Sequence, residues 1–176
     1  MTSAKGLNMP CNKGFSFIEL VVALVVASIL VTVAMPNLTK TYDFYRADSN
    51  ISKIKSFLMT ARTQAISYGV RITVCPLEGT SCGSDWSKGM SMFVDSGSSN
   101  VVDGDDQILQ VIQAFDTADT LVYSRNAVRF LPTGLASGTN GTFRYCPSST
   151  DSKESVGLVV NNDGRVRDST SSITCQ

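Results

Sequence analysis

From residue 15 to 36 the chain reads FSFIELVVALVVASILVTVAMP, apolar at almost every position and broken by a single charge, Glu19. About 20 such residues at ~1.5 Å rise cross a ~30 Å hydrocarbon layer, so the run predicts a membrane-spanning helix. It is too long for the core of a signal peptide, and no AxA-like cleavage pattern closes it. Lys5 and Lys13 precede it with no acid before Glu19, which places the amino end in the cytoplasm and the bulk of the chain outside. Pro36 removes one backbone donor and is expected to kink or interrupt the helix. After it, Ile51, Ile54, Leu58, Ala61, Ala65 and Tyr68 recur at steps of three and four, preceded by Leu38, Tyr42 and Tyr45. That spacing predicts one apolar stripe on a helix ending at Gly69, with Lys53, Lys55 and Arg62 off the stripe. From Phe15 to Tyr68 such a helix would measure ~80 Å.

Past Gly69 the period shortens to two. VRITVC (70–75), GMSMFVD (89–95), QILQVIQAF (107–115), AVRFL (127–131), TFRYC (142–146) and GLVVN (157–161) are strand candidates between turn clusters. Asn162-Asp163-Gly164 predicts a hairpin turn into RVRD. The expected fold class is therefore α+β: a long amino-terminal helix whose second half packs on a head of antiparallel sheet. Three segments follow: 1–14, 15–36, and 37–176 as helix second half plus head. Nothing repeats, and no linker marks a further domain.

Composition narrows the chemistry. The 176 residues contain no His, so the commonest metal ligand and the commonest general base are both missing. Serine triads, zinc-hydrolase sites and Cys-His dyads drop out, and no Ser or Asp nucleophile has a base, so an enzyme is not expected. No cofactor is implied. Lys and Arg number 15 against 15 Asp and Glu, which argues against a bulk polycation while leaving room for a local patch. Residues 78–119 hold acids and only Lys88, whereas 121–147 hold Arg125, Arg129 and Arg144 with no acid. The acidic stretch from Asp95 to Asp106 supplies oxygen ligands but not the spaced twelve-residue calcium loop, and reads as a solvated hairpin loop. Trp86, Tyr123 and Phe130 could stack bases, but aromatics at strand positions usually form core.

Lys13-Gly14-Phe15-Ser16-Phe17-Ile18-Glu19-Leu20 closely resembles the processing site of type IV prepilins. The resemblance implies that a membrane prepilin peptidase cuts after Gly14 and methylates the new amine of Phe15. Ser16 and Phe17 stand where the family more often has Thr and Leu. A short leader beginning at Met9 would be complete, which leaves Met1 and Met9 as alternative starts. Physics supports the same reading, because a carboxylate inside a membrane helix costs at least ~2.5 kcal/mol and is expected to be paired. The partner expected for Glu19 is the cationic amine of Phe15 on a neighbouring subunit.

Cleavage would take Cys11 with the leader and leave Cys75, Cys82, Cys146 and Cys175. Four cysteines in an exported domain suggest two disulfides, with three pairings open. Cys75 with Cys82, a tight loop, and Cys146 with Cys175, tying down the tail, are favoured over a zinc site. Loss of Lys5 and Lys13 would leave thirteen basic side chains against fifteen acids, a balance of minus two.

Ala61-Arg62-Thr63-Gln64-Ala65-Ile66, Val74-Cys75-Pro76, Cys82, Trp86-Ser87-Lys88-Gly89 and Phe93-Val94-Asp95 together resemble the FimT/GspH-type minor pilins and pseudopilins. Thr63, Gln64 and Met90 depart from the commoner Ser, Glu and Trp, while the paired Cys favours the pilus branch. Gly164-Arg165-Val166-Arg167 matches the Gly-Arg-x-Arg motif that the resemblance associates with DNA binding in FimT-type pilins. Two apart on a strand, Arg165 and Arg167 would project to one face and grip successive phosphates, with Gly164 supplying the turn. The alternative is a hairpin whose arginines are solvated or paired with Asp163 and Asp168. Arg144, outward if Phe143 and Tyr145 point inward, and Lys153 would extend the patch.

The expectation is a minor type IV pilin, held by the bacterial inner membrane with its head in the periplasm. It would then join other pilins in a surface pilus and bind DNA without reading sequence, for uptake in natural transformation. The alternative is a structural minor pilin or secretion pseudopilin that primes filament assembly without binding DNA.

Overall fold

The computed structural model describes residues 14–136 and 138–176; the side chains of 33–37 are outside the described residues, as are Lys5, Cys11 and Lys13 of the leader. The chain forms two compact units that divide between Thr39 and Lys40.

A single helix, α1, runs Phe17–Tyr68 without a break in its backbone, so the interruption expected at Pro36 does not occur. Proline's fixed φ is itself helical, and the bonds in the turns on either side carry the helix across the one missing donor. Through the amino-terminal unit the apolar side chains are exposed on every side, among them Phe17, Ile18, Leu20, Leu24 and Leu30. A helix that is apolar all round has no face suited to water. Ser28 and Thr32 bond back to the carbonyls of Val25 and Ile29, whereas Glu19, in the first turn, has no partner among the described residues. Among the described residues no helix is long and apolar enough to cross a membrane; the sequence's apolar run finishes inside 33–37, where side chains are not described.

In the second unit α1 buries Ala47, Ile51, Ile54, Phe57, Leu58, Ala61 and Ala65. The stripe is shorter than the periodicity suggests, because Leu38, Tyr42, Tyr45 and Tyr68 are more than 60% exposed, while Ala47 and Phe57 join the core. Gly69, with φ of 66°, takes the left-handed position that ends the helix.

Among the described residues ten strands follow: β1 (Ile72–Cys75), β2 (Leu77–Glu78), β3 (Ser81–Cys82), β4 (Met90–Val94), β5 (Ile108–Ile112), β6 (Thr120–Val122), β7 (Val128–Phe130), β8 (Gly141–Cys146), β9 (Val156–Val160) and β10 (Val166–Asp168). They form two four-stranded antiparallel sheets, β5-β4-β1-β7 and β10-β9-β8-β6, plus the β2-β3 pair. All six strand candidates are strands, as is the return of the last hairpin. The sequence pattern missed β2, β3 and β6, which are two or three residues long and too short to show a period.

Trp86, Tyr123 and Phe143 meet at the centre of the head, Tyr123 stacked on Phe143 at 4.1 Å and Trp86 edge-on to both. Trp86 Nε1 donates to Arg125 O at 3.0 Å, so the indole is a satisfied core group, and Phe130 is fully buried. Cys75 pairs with Cys82, and Cys146 with Cys175, at Cα separations of 5.6 and 6.2 Å. The first closes the loop after β1, and the second fixes the carboxyl tail to the end of β8. The acidic loop is folded on itself: buried Asp95 accepts from Arg71, Thr73 and the Asn100 amide, and Asp106 accepts from both donors of Ser96. Those hydrogen bonds from Ser96 and from the Asp103 amide, offsetting slight burial, hold the Asp106 carboxyl below its usual range.

Candidate nucleic-acid interface

The turn that presents the arginines is held from three directions. Asn161 N donates to Arg165 O and Gly164 N to Asn161 O, both at 2.9 Å, closing the β9–β10 hairpin. Gly164 is buried with φ of 74°, and a Cβ there would lie 1.9 Å from Gly134 O. Glycine is thus required twice, for the left-handed backbone and for contact with the 131–136 loop. Arg62 of α1 ties the pieces together, its Nε donating to Gly134 O at 3.1 Å and its Nη2 to Asp163 O at 2.9 Å. The sequence places Arg62 only as a charge off the apolar stripe; two backbone acceptors from distant loops leave no sequence signal.

The two arginines of the motif are not equivalent. Arg165 Nε binds Asp163 Oδ2 at 2.6 Å, and its main-chain N–H also donates to that carboxylate. Those contacts hold the Asp163 carboxyl below its ordinary range, the main-chain N–H contributing most. Arg165 is nevertheless 74% exposed, and a surface pair of this kind contributes little and can exchange for a phosphate. Arg167 is exposed and has no hydrogen bond or ion pair among the described residues. Its neighbour Asp168 faces the other side of the strand, where Lys55 binds it at 2.7 Å. Of the two pairings in the alternative reading, the one with Asp163 is present and the one with Asp168 is absent among the described residues.

The ladder puts a second cation beside Arg167. Arg167 is opposite Val159 and Val159 opposite Thr142, while Arg144, two residues on, is opposite Gly157. Phe143 and Tyr145 are fully buried, so Arg144 projects from the outer face, as strand alternation requires. Arg144 and Arg167 line a common cavity. Lys153 does not join them: it lies on the β8–β9 loop, at the opposite end of β9 from the Gly164 turn, and lines neither cavity touched by Arg167. Chain order alone requires this once β9 is a strand, since the loop before it and the turn after it lie at opposite ends. Gly14 and Phe15 are exposed, with nothing within 4 Å of a Cβ placed on Gly14.

Comparison with known proteins places this geometry. Against two crystal forms of the Pseudomonas aeruginosa (strain PAO1) type IV minor pilin FimU, TM-scores are 0.60 and 0.58 at 21% identity. These matches cover 74% and 73% of this chain and 95% and 99% of those. The minor pseudopilin EpsH of the Vibrio cholerae Type 2 Secretion System gives a TM-score of 0.52 at 13% identity, covering 70% of this chain and 96% of that one. No curated protein matches. At such identities the likeness establishes the type IV pilin fold. Residues 9–35 match the prokaryotic N-terminal methylation motif, and 50–164 match the family described as Type II transport protein GspH. The chain is therefore a member of the GspH family, with the α+β type IV pilin fold.

Proposed function

We propose that this chain is a minor subunit of a type IV pilus whose head binds extracellular DNA for uptake. The observation that carries the reading is Arg167, an exposed, unpaired guanidinium held next to Arg165 by a turn that is itself locked to α1. Guanidinium groups in that position bind phosphate oxygens through charge-assisted bonds whatever the base sequence. Before assembly the apolar half of α1 anchors the chain in the inner membrane, cut after Gly14 by the prepilin peptidase and methylated at Phe15. Glu19 then pairs with the amine of a neighbouring pilin. Glu19→Ala is expected to insert normally and to disappear from sheared pili, since the mutant lacks the charge that needs a partner; full recovery in the sheared fraction would refute that role.

The DNA reading is tested by gel shift on residues 40–176 across a salt series. Wild type should bind at low salt and weaken steeply as salt rises. Arg167→Ala should cost about tenfold and lower the salt slope by about one, because a charge-assisted contact is lost outright. Arg165→Ala should cost less, since Arg165 must first leave Asp163. No binding by wild type, or equal binding by the double variant, would overturn the reading and favour a subunit that only primes assembly.

A further inference from the structure

We propose that the carboxyl tail builds a second phosphate-binding station next to the Gly-Arg-x-Arg turn, a cavity for the phosphodiester backbone of a polynucleotide. It deepens the DNA reading above and rests on it. The cavity, about 570 Å³, lies between the outer face of the β10-β9-β8-β6 sheet and the tail. Arg144, Arg167 and Thr142 line it from the sheet, Ser124 from the loop after β6, and Thr170 and Ser171 from the tail. Among the described residues no carboxylate lines it, in a chain with as many acids as bases. Arg144 spends one weak bond on the Thr174 carbonyl at 3.5 Å, and Arg167 spends none, so both charges are available. Two guanidinium groups facing hydroxyl donors, with no competing anion, is an arrangement that a phosphate diester satisfies.

The tail is held as a wall rather than left loose. Ser169 N donates to Gly157 O at 2.8 Å and Cys175 N to Thr150 O at 3.0 Å, and the Cys146–Cys175 bond fastens the far end. Gly157 makes room beneath it, since a Cβ there would lie 2.6 Å from Ile173 Cδ1 and 2.9 Å from Ser169 Cβ. Arg167 also lines the neighbouring groove with Arg165 and Arg62. One strand of backbone can therefore pass from the turn to the cavity over Arg167.

The test uses the full chain in detergent, with labelled duplex and inorganic phosphate as separate probes. Arg144→Ala should lower the salt slope of DNA binding by about one. Thr170→Val with Ser171→Ala should weaken binding severalfold with the slope unchanged. Cys146→Ser with Cys175→Ser, which frees the wall, should match the hydroxyl loss. Phosphate should shift the amide resonances of Thr142, Arg144 and Thr170 and leave those near Cys82 still. If wild type binds DNA and Arg167→Ala weakens it, while Arg144→Ala and the hydroxyl variants bind like wild type, the cavity is refuted and the DNA reading stands. If wild type binds no DNA, that reading falls with the polynucleotide assignment, and silence of the amides towards phosphate refutes the cavity as well. Binding to anionic vesicles in place of duplex would assign the cavity to lipid and overturn the proposal.

Discussion

Asp119→Ala is expected to lower the melting temperature of the head by roughly 10 °C, a loss of about 3 kcal/mol for a domain of this size. Asp119 is buried at the start of the β6 region, and its carboxylate accepts from Arg46 Nη2 at 2.7 Å, from Ser148 N at 3.1 Å and from the Tyr145 hydroxyl. Asn50 donates in turn to Tyr145 at 2.6 Å, so the cluster ties Arg46 and Asn50 of α1 to β8 and to the loop after it. Burial works against the charge on Arg46, but Asp119 and Asp43 more than offset it and raise its pKa above the ordinary value. Burial, then the bond to Asp119, pushes the Tyr145 phenol well above its usual range. Removing Asp119 strands a phenol, an amide and part of a guanidinium charge in a dry site, which costs more than the pair itself contributes. Arg46 keeps Asp43 at 3.0 Å, which sets the estimate at the lower end of the range for broken buried pairs. Asp119→Asn, which retains an acceptor, should fall between. Melting followed by circular dichroism would decide; a shift of only a degree or two would show that the cluster relaxes to water.

Gly164→Val should abolish the proposed DNA contact while leaving the rest of the head folded. At φ of 74° a β-branched residue is strained by about 1–3 kcal/mol, and its Cβ would fall inside van der Waals range of a main-chain oxygen, Gly134 O. A backbone atom cannot swing aside, so the turn must lift off the 131–136 loop and Arg62 must lose one or both of its bonds. Gly79→Ala is the control, with φ of 67° and nothing within 4 Å, and should show the conformational cost alone, about 1 kcal/mol. Hydrogen exchange at the β9–β10 amides, measured beside gel shift, separates the two effects. Retained protection and affinity in Gly164→Val would mean that the lock on the turn is not what presents the arginines.

Much of this molecule is legible along the chain because its signals are local. The exposed apolar half of α1, the lone Glu19, the strand alternation around Arg144 and the Asp163-Gly164 turn each depend on residues within a few positions of one another. The favoured cysteine pairs also emerge, one from a tight loop and one from a tail that must be fastened. The failures are equally physical. Tyr42, Tyr45 and Tyr68 continue the stripe in spacing and yet are exposed, because burial depends on which part of the helix the sheets cover. Lys153 is close in sequence to the basic segments but far along the sheet from Arg165, since β9 runs between them.

The amino-acid order by itself determined the class: a long apolar helix with one acid in its first turn, a period change at Gly69, and a Gly-Arg-x-Arg turn near the end. Only the tertiary structure decided which charges are free. Asp163 took Arg165 and Lys55 took Asp168, while Arg62 was spent on backbone carbonyls, leaving Arg167 and Arg144 facing a cavity without an acid. The physical reason is that a charge's availability depends on neighbours within about 4 Å, and strand register and loop packing choose those neighbours.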